Sequence, residues 1–424
     1  FGYYSANVNL TDWLKFNAKY SFDYYRTRLQ TSDLSLGDGA ISTDGTGWQG
    51  KLVNDGMTRA EENHFEQNIQ FLLMGDNQLA KKWRLGYTAG ANIMYLKFEQ
   101  LSASVQNMLE KDNWIFNTGN KLTSALDDGH SRAMYSAFAS AQLAYDEWLS
   151  LDITARNDWS STLPKKNNSF FYPSASLSWV FSDFMRSIDH KLPSWITFAK
   201  LRVSAAQVGK DPAPYNLYNV RKYQFEMGNR KPINNTIKLN ANLKPEIKTS
   251  YEVGVDMKFL DNRLGFDFTY YYNTTKNQAM LVDASSPWTQ QWVNAGKINN
   301  TGVEFMLYGT PVKTRDFQFD ITANLAHNSS TVKELADGVN RVYFAGDSNM
   351  PVKVGAVKGG KLGDIFANNL MQRDAQGRVI IGADGLPMAA TGDGNLEQYL
   401  LDHPIGNIQP DLLMSITPTF TYKG

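Results

Sequence analysis

The residues of this chain that could carry chemistry are poorly spaced for catalysis. Gly355-Ala-Val-Lys-Gly-Gly-Lys361 approaches a loop that cradles phosphate with backbone amides. Leu362, however, stands where a Ser or Thr would hold magnesium, and no buried parallel strand precedes the loop. The five histidines, His64, His130, His190, His327 and His403, form no metal-ligand pair at helical spacing. With no cysteine, disulfides, zinc-thiolate sites and thiol catalysis are excluded, and no G-x-S-x-G occurs. Asp374-Ala-Gln-Gly377 and Asp384-Gly385 lack the clustered oxygens that calcium needs and read as turns. No metal, cofactor or catalytic residue is expected. Two groups of residues remain. Asp152, Arg156, Asp158, Lys200, Arg202, Glu252, Asp256, Asp267, Glu304 and Asp320 recur at every second position between apolar residues. Pairs of their carboxylates could flank a glycosidic bond, yet the spacing is that of a charged lining that meets water. The loop aromatics Trp114, Phe116, Tyr215, Tyr218, Trp288, Trp292, Tyr343 and Phe344 are candidate substrate contacts, since rings stack on sugar faces or pack against peptide side chains.

The elements that must position these residues are strands. In Ser250–Thr275, Tyr251, Val253, Val255, Met257 and Phe259 alternate with Glu252, Gly254, Asp256 and Lys258. After Asp261-Asn262 the alternation resumes with Leu264, Phe266, Phe268, Tyr270 and Tyr272. This is a long hairpin with one apolar and one polar face. The same pattern predicts about thirteen strands, with turns at Gly75-Asp76-Asn77, Asp146-Glu147, Asp261-Asn262 and Pro311–Arg315. Loops are expected over about 29–61, 99–130, 210–247, 276–296 and 331–410, and a helical turn within 183–195. Connections alternate short and long, as in antiparallel outer-membrane barrels with short periplasmic turns and long extracellular loops. A soluble antiparallel sheet also alternates, but its strands are usually nearer five or six residues.

Composition agrees. Forty-two basic and 42 acidic residues give net charge zero, which offers no nucleic-acid surface. Aromatics reach 13%, as suits a membrane–water boundary or a carbohydrate- or peptide-binding surface. No run of about 18 apolar residues is present, which argues against transmembrane helices and leaves a transmembrane barrel open. Phe1–Asn7 already reads as a strand and no signal peptide is visible, so the true N-terminus is expected to be missing. An odd number of strands leaves open edges, so residues 1–424 are expected to be part of one transmembrane barrel domain.

Several segments carry a more specific likeness. Leu243-Lys-Pro-Glu246, Ser250-Tyr-Glu-Val-Gly-Val255, the arm from Leu264, Asn294-Ala-Gly-Lys-Ile-Asn-Asn-Thr-Gly-Val-Glu304, Phe171-Tyr-Pro-Ser-Ala-Ser-Leu-Ser-Trp179 and Ile405-Gly-Asn407 together resemble the SusC/RagA-like TonB-dependent outer-membrane transporters. The likeness covers about 130–424; the first 130 residues match in barrel character. It implies an all-β fold, a transmembrane antiparallel barrel of 22 strands with about thirteen here. The N-terminal plug, the TonB-contacting segment and the final strands would lie outside this sequence. It implies TonB-driven import of oligosaccharides or peptides across the Gram-negative outer membrane, a SusD-like surface lipoprotein as lid, and room for a dimer of transporter–lipoprotein pairs. A passive porin and an outer-membrane hydrolase are the alternatives that the residues leave open.

Overall fold

The computed structural model describes residues 1–33, 56–108, 114–190, 192–218, 222–226, 229–233, 236–345, 352–367, 371, 372, 374, 376, 378–388 and 404–423. Thirteen strands form one sheet in chain order: β1 (Gly2–Asn9), β2 (Leu14–Asp33), β3 (Gly56–Ala80), β4 (Trp83–Met108), β5 (Gly119–Tyr145), β6 (Leu149–Ser160), β7 (Ser169–Val180), β8 (Ile196–Lys210), β9 (Glu246–Phe259), β10 (Leu264–Lys276), β11 (Lys297–Lys313), β12 (Phe317–Glu334) and β13 (Leu413–Tyr422). Each strand neighbours the one before it in sequence, so the sheet has no crossovers among the described residues. The expected number of strands is met. Among the described residues the only α-helix is the short Phe181–Ser187, close to the expected helical turn, and Phe116–Thr118 forms a single 3-10 turn.

Contacts divide the chain into two compact units. The first holds 1–74, 90–137 and 159–162, and the second 75–89, 138–158 and 163–424. In the first, β1 pairs with β2 from Gly2 opposite Phe22 to Asn9 opposite Lys15. Here the expected loops 29–61 and 99–130 need correction, because strand continues to Asp33, resumes at Gly56, runs to Met108 and starts again at Gly119. The Gly- and Asp-rich stretch 34–55 lies outside the described residues. Apolar residues are sparse in these extensions, with Met57, Leu101 and Val105 among them, so the alternation does not carry across their whole length. Cross-strand polar pairs hold them instead: Arg28 Nε donates to Glu61 at 3.1 Å, Arg26 pairs with the same carboxylate, and Arg59 reaches Gln30 at 2.9 Å. Met57, Ala60 and Val105 supply a small buried core.

In the second unit, β8 to β12 are paired without interruption through the middle of each strand. The turn expected at Gly75–Asn77 is corrected to Lys81-Lys82. The strand passes through the turn-like residues because Arg84 binds Asp76 at 2.6 and 2.9 Å and the Tyr87 ring lies over Gly75. The turns at Asp146-Glu147 and Asp261-Asn262 are as expected. Both pairs have positive φ, the geometry that joins right-twisted strands tightly.

The expected loops 210–247, 276–296 and 331–410 are also corrected, since they carry short strands: Lys222–Glu226 with Asn229–Ile233, Ile237–Lys238 with Gln290–Asn294 and Ala279–Asp283, and Arg341–Ala345 with Val352–Val357, Asp364–Ala367 and Gly406–Asn407. Gly355–Lys361 is the end of one of these strands and its turn. Gly359 has φ +87° and the Asp364 carboxylate accepts the Lys361 N–H at 2.9 Å, so the turn is closed by protein. Asp374 likewise closes its own loop, accepting the Gln376 and Arg378 amides at 2.9 Å and the Arg378 guanidinium at 2.8 Å. Those donors hold its carboxyl below the usual carboxylate range.

The segments around Leu243–Glu246 and Asn294–Glu304, far apart in sequence, meet through one amide. The Asn294 side chain accepts the Lys244 N–H at 2.7 Å and donates to the carbonyls of Lys244 at 2.8 Å and Asn277 at 2.9 Å. Glu246 adds a bond from the Ala279 N–H at 3.0 Å. Asn294→Ala would leave three backbone partners open, at about 1–3 kcal/mol each for those buried. Hydrogen exchange should accelerate over 240–246 and 277–296 and stay unchanged in the middle of β9 and β10.

Candidate functional site

Antiparallel pairing places residues directly opposite one another on a common face, so the registers of β7 to β12 assemble rows across the second unit. One row runs Ser178, Arg202, Gly254, Thr269, Glu304, Ala326; the next runs Val180, Lys200, Asp256, Asp267, Met306, Asn324; a third runs Ser176, Ser204, Glu252, Tyr271, Gly302, Asn328. The intervening rows are apolar, such as Leu177, Val203, Val253, Tyr270, Val303. Every candidate charge from Lys200 to Glu304 therefore shares one side of the wall. Asp152, Lys200, Arg202, Ser204, Glu252 and Gly254 line a single cleft of about 280 Å³.

The geometry within this face depends on glycines that the sequence pattern does not mark as functional. Arg202 of β8 reaches across β9 to β10, where it donates to Asp267 at 2.5 and 2.8 Å and to Thr269 at 2.7 Å. It crosses directly over Gly254, where a Cβ would stand 2.4 Å from the Arg202 Nε. Tyr271 crosses Gly302 in the same way, and its hydroxyl donates to Asn328 at 3.0 Å two strands away. Tyr308 covers Gly265. Gly254, Thr269, Tyr271, Gly302, Tyr308 and Asn328 thus belong to the site and were missed, because only the register shows which glycine faces which long side chain. Elsewhere on this face Asp152 accepts from Gln142 at 2.7 Å, and Asp320 accepts from Thr310 at 2.7 Å and from Gln318. Asp158 is buried, paired with Arg156 at 2.8 Å and hydrogen-bonded by the Tyr172 hydroxyl, so it braces the wall rather than meeting water. No group of three or more His, Asp or Glu suited to a metal occurs among the described residues.

The loop aromatics divide. Trp292 and Tyr343 line one apolar cavity of about 330 Å³. Trp292 also packs against the buried cluster Leu163, Phe170, Leu243. The Tyr343 ring has the cationic ends of Arg341 and Lys353 each 5.2 Å from its centre. Tyr215 and Tyr218 are exposed, Trp288 is half-buried in a turn, and in the first unit Trp114 is half-buried while Phe116 carries the Arg59 guanidinium 5.6 Å from its ring. Phe344 lies in Arg341–Ala345 with its side chain outside the described residues.

The sequence profile of the family described as TonB dependent receptor-like, beta-barrel matches residues 1–356. The chain belongs to that family. TonB-dependent receptor SusC of Bacteroides thetaiotaomicron is 27% identical over 291 residues, which is 64% of this chain and 28% of that protein. TonB-dependent receptor P3 of Formosa agariphila is 24% identical over 311 residues, 68% of this chain and 30% of that protein. Among solved structures, the RagAB peptide transporter superposes with a TM-score of 0.76 at 18% identity, covering 99% of this chain and 46% of that chain. The outer membrane transporter YddB of Escherichia coli gives 0.51 at 11% identity, covering 98% and 47%. The chain spans less than half the length of the relatives it matches.

As a member, the chain is a Gram-negative outer-membrane β-barrel protein, all-β and antiparallel, with no helix among the described residues long and apolar enough to cross a membrane. On the apolar face Val253 is 44% and Val203 43% exposed, so the described residues leave much of this face uncovered. Val253→Arg would cost about 2–4 kcal/mol near the bilayer midplane, and heat-modifiable migration in gels should show impaired barrel assembly. On the other face, Gly254→Val should destabilise by about 1–3 kcal/mol through overpacking against Arg202. Arg202→Ser should relieve part of that loss in the double variant, a coupling that urea unfolding would measure.

Proposed function

We propose that residues 1–424 form part of one transmembrane barrel whose lumen carries nutrient oligomers, glycans or peptides, inward under TonB control. The observation that carries the reading is the two-sided wall. One side carries an exposed row of valines and aromatics, while the other carries Arg202 and Asp267, hydrogen-bonded to each other, with Glu252 and Lys200 beside Arg202 in the same cleft. A wall that only had to seal would need no such charged face. One that surrounds a plug and passes hydrated cargo needs fixed donors and acceptors over its inner surface.

The polar face would hold a plug supplied by a more N-terminal segment, through which TonB acts. The loops above β9 to β12 would capture cargo and dock a SusD-like surface lipoprotein. The family match and the names of the relatives, among them a RagAB peptide importer, support this assembly. The charged residues then serve binding and positioning, and the protein turns over no substrate.

The test uses the intact transporter. Uptake should stop when TonB is depleted, and liposomes containing the transporter should not swell in small sugars. Free swelling would instead establish an open porin. Hydrolysis of glycan that disappears when Asp267 is neutralised would establish the enzyme.

A further inference from the structure

In the first unit the apolar face of β2 can be followed across neighbouring strands by side-chain contacts. Phe16 stands opposite Val8 of β1 and stacks on Phe71 of β3 with ring centres 6.4 Å apart. The Tyr20 and Tyr24 hydroxyls then reach Gln67 at 3.4 Å and Asn63 at 3.1 Å, and Arg26 pairs with Glu61. Each step advances β2 and retreats β3 by the same even number of residues, so all of these side chains share one side of the wall. The other side is polar, with Asn17 donating to Ser5 at 3.1 Å and to Asn7 at 2.7 Å.

The apolar face changes character at a definite height. The eleven residues Leu14–Tyr24, at about 3.4 Å each and tilted by about 45°, cover roughly 26 Å, close to the apolar band of about 25 Å of a transmembrane barrel. Trp13 before them and Tyr24 at their end are exposed aromatics, the residue types that mark a membrane boundary. Beyond Tyr24 the same face carries Arg26 and Arg28, and from β3 Arg59, which is placed there by its bond to Gln30 at 2.9 Å. This end lies away from the short turn that joins β1 to β2, on the side of the long connections.

Against these three guanidiniums stands one carboxylate. Glu61 pairs with Arg26 and accepts from the Arg28 Nε at 3.1 Å, while the Arg59 guanidinium lies 5.6 Å from the centre of the Phe116 ring. On β4, Lys97 and Glu99 pair with each other at 2.6 Å and add no net charge. Holding the strands together accounts for Arg26 with Glu61. It leaves Arg28, 66% exposed, and Arg59, on a neutral partner, as surplus positive charge at the edge of the apolar band.

We propose that Arg26, Arg28 and Arg59 form a site for the phosphate of a lipid headgroup in the outer leaflet, whose acyl chains lie along Tyr24, Tyr20 and Phe16. The site rests on the transmembrane reading above and adds a partner distinct from cargo and lid. Guanidinium forks match phosphate oxygens bidentately, and basic residues at a membrane surface attract anionic headgroups. The continuity of the arginines with the apolar column selects a lipid over a free anion. Only a lipid fills both at once.

Native mass spectrometry of the full-length transporter, delipidated in detergent, tests this with monophosphoryl lipid A, the same lipid dephosphorylated, and inorganic phosphate. The phosphorylated lipid should bind at least tenfold more tightly than the dephosphorylated one, and millimolar phosphate should not displace it. Arg28→Gln with Arg59→Gln, which leaves the Arg26–Glu61 pair in place, should weaken it about fivefold for each arginine removed. Glu61→Gln, which removes the opposing charge, should tighten it. Heat-modifiable migration establishes assembly, and Arg28→Gln alone carries the test if the double variant does not assemble. The site is overturned if both lipids bind alike, if the arginine variants bind the phosphorylated lipid as the parent does, or if free phosphate displaces it. Equal binding of the two lipids leaves the lipid-facing wall standing, whereas binding of neither overturns the site together with the assignment of this face to lipid. Uptake and swelling, which judge import, do not enter the measurement.

Discussion

Hydrocarbon offers no partner to a peptide group, so a wall that crosses it must satisfy every N–H and C=O within itself. In this chain that obligation is met by ladders that pair β8, β9, β10, β11 and β12 residue against residue. The same ladders sort the side chains. Once Val253 stands opposite Val203 and Tyr270, Gly254 must stand opposite Arg202 and Thr269, and the apolar and polar faces are assigned along the whole width of these strands. Charge placement and the cleft around Arg202 both derive from this one constraint.

That logic explains what could be read in advance. The alternation in Ser250–Thr275 contains the faces of β9 and β10, and Asp261-Asn262 contains their turn, because period-2 patterning and left-handed turn residues are local properties. Where neighbours decide, the sequence is silent. The ends of β2 and the start of β3 are strand because Arg26 and Arg28 meet Glu61 across the ladder, a pairing of residues more than thirty apart. Gly75-Asp76-Asn77 has turn chemistry, yet Tyr87 and Arg84 on the opposite strand keep it extended. Of the loop aromatics, Trp292 and Tyr343 prove to share a cavity, and no feature of their types or spacing distinguishes them from Tyr215 or Tyr218.

The segments that carry the family likeness turn out to be joints more than contacts. Asn294 fixes Lys244 from both sides, Glu246 receives Ala279, and Asn407 reaches Asp364 at 2.9 Å and the Leu362 carbonyl at 3.1 Å. They hold the bases of the long loops in place, while the loop surfaces between them are free to differ.

The glycine beneath Arg202 has a further consequence. A strand that slips by one residue exposes its charges to lipid and is rejected at once. A slip of two residues keeps every side chain on its proper face, so patterning offers no defence against it. The notch does. Sliding β9 by two places would bring Glu252 or Asp256 beneath the guanidinium where only Gly254 leaves room, and sliding β11 would likewise put Asn300 or Glu304 under the Tyr271 ring in place of Gly302. The crossings act as keys in keyways: each side chain fits over one position of its neighbour, and the wall locks at a single alignment.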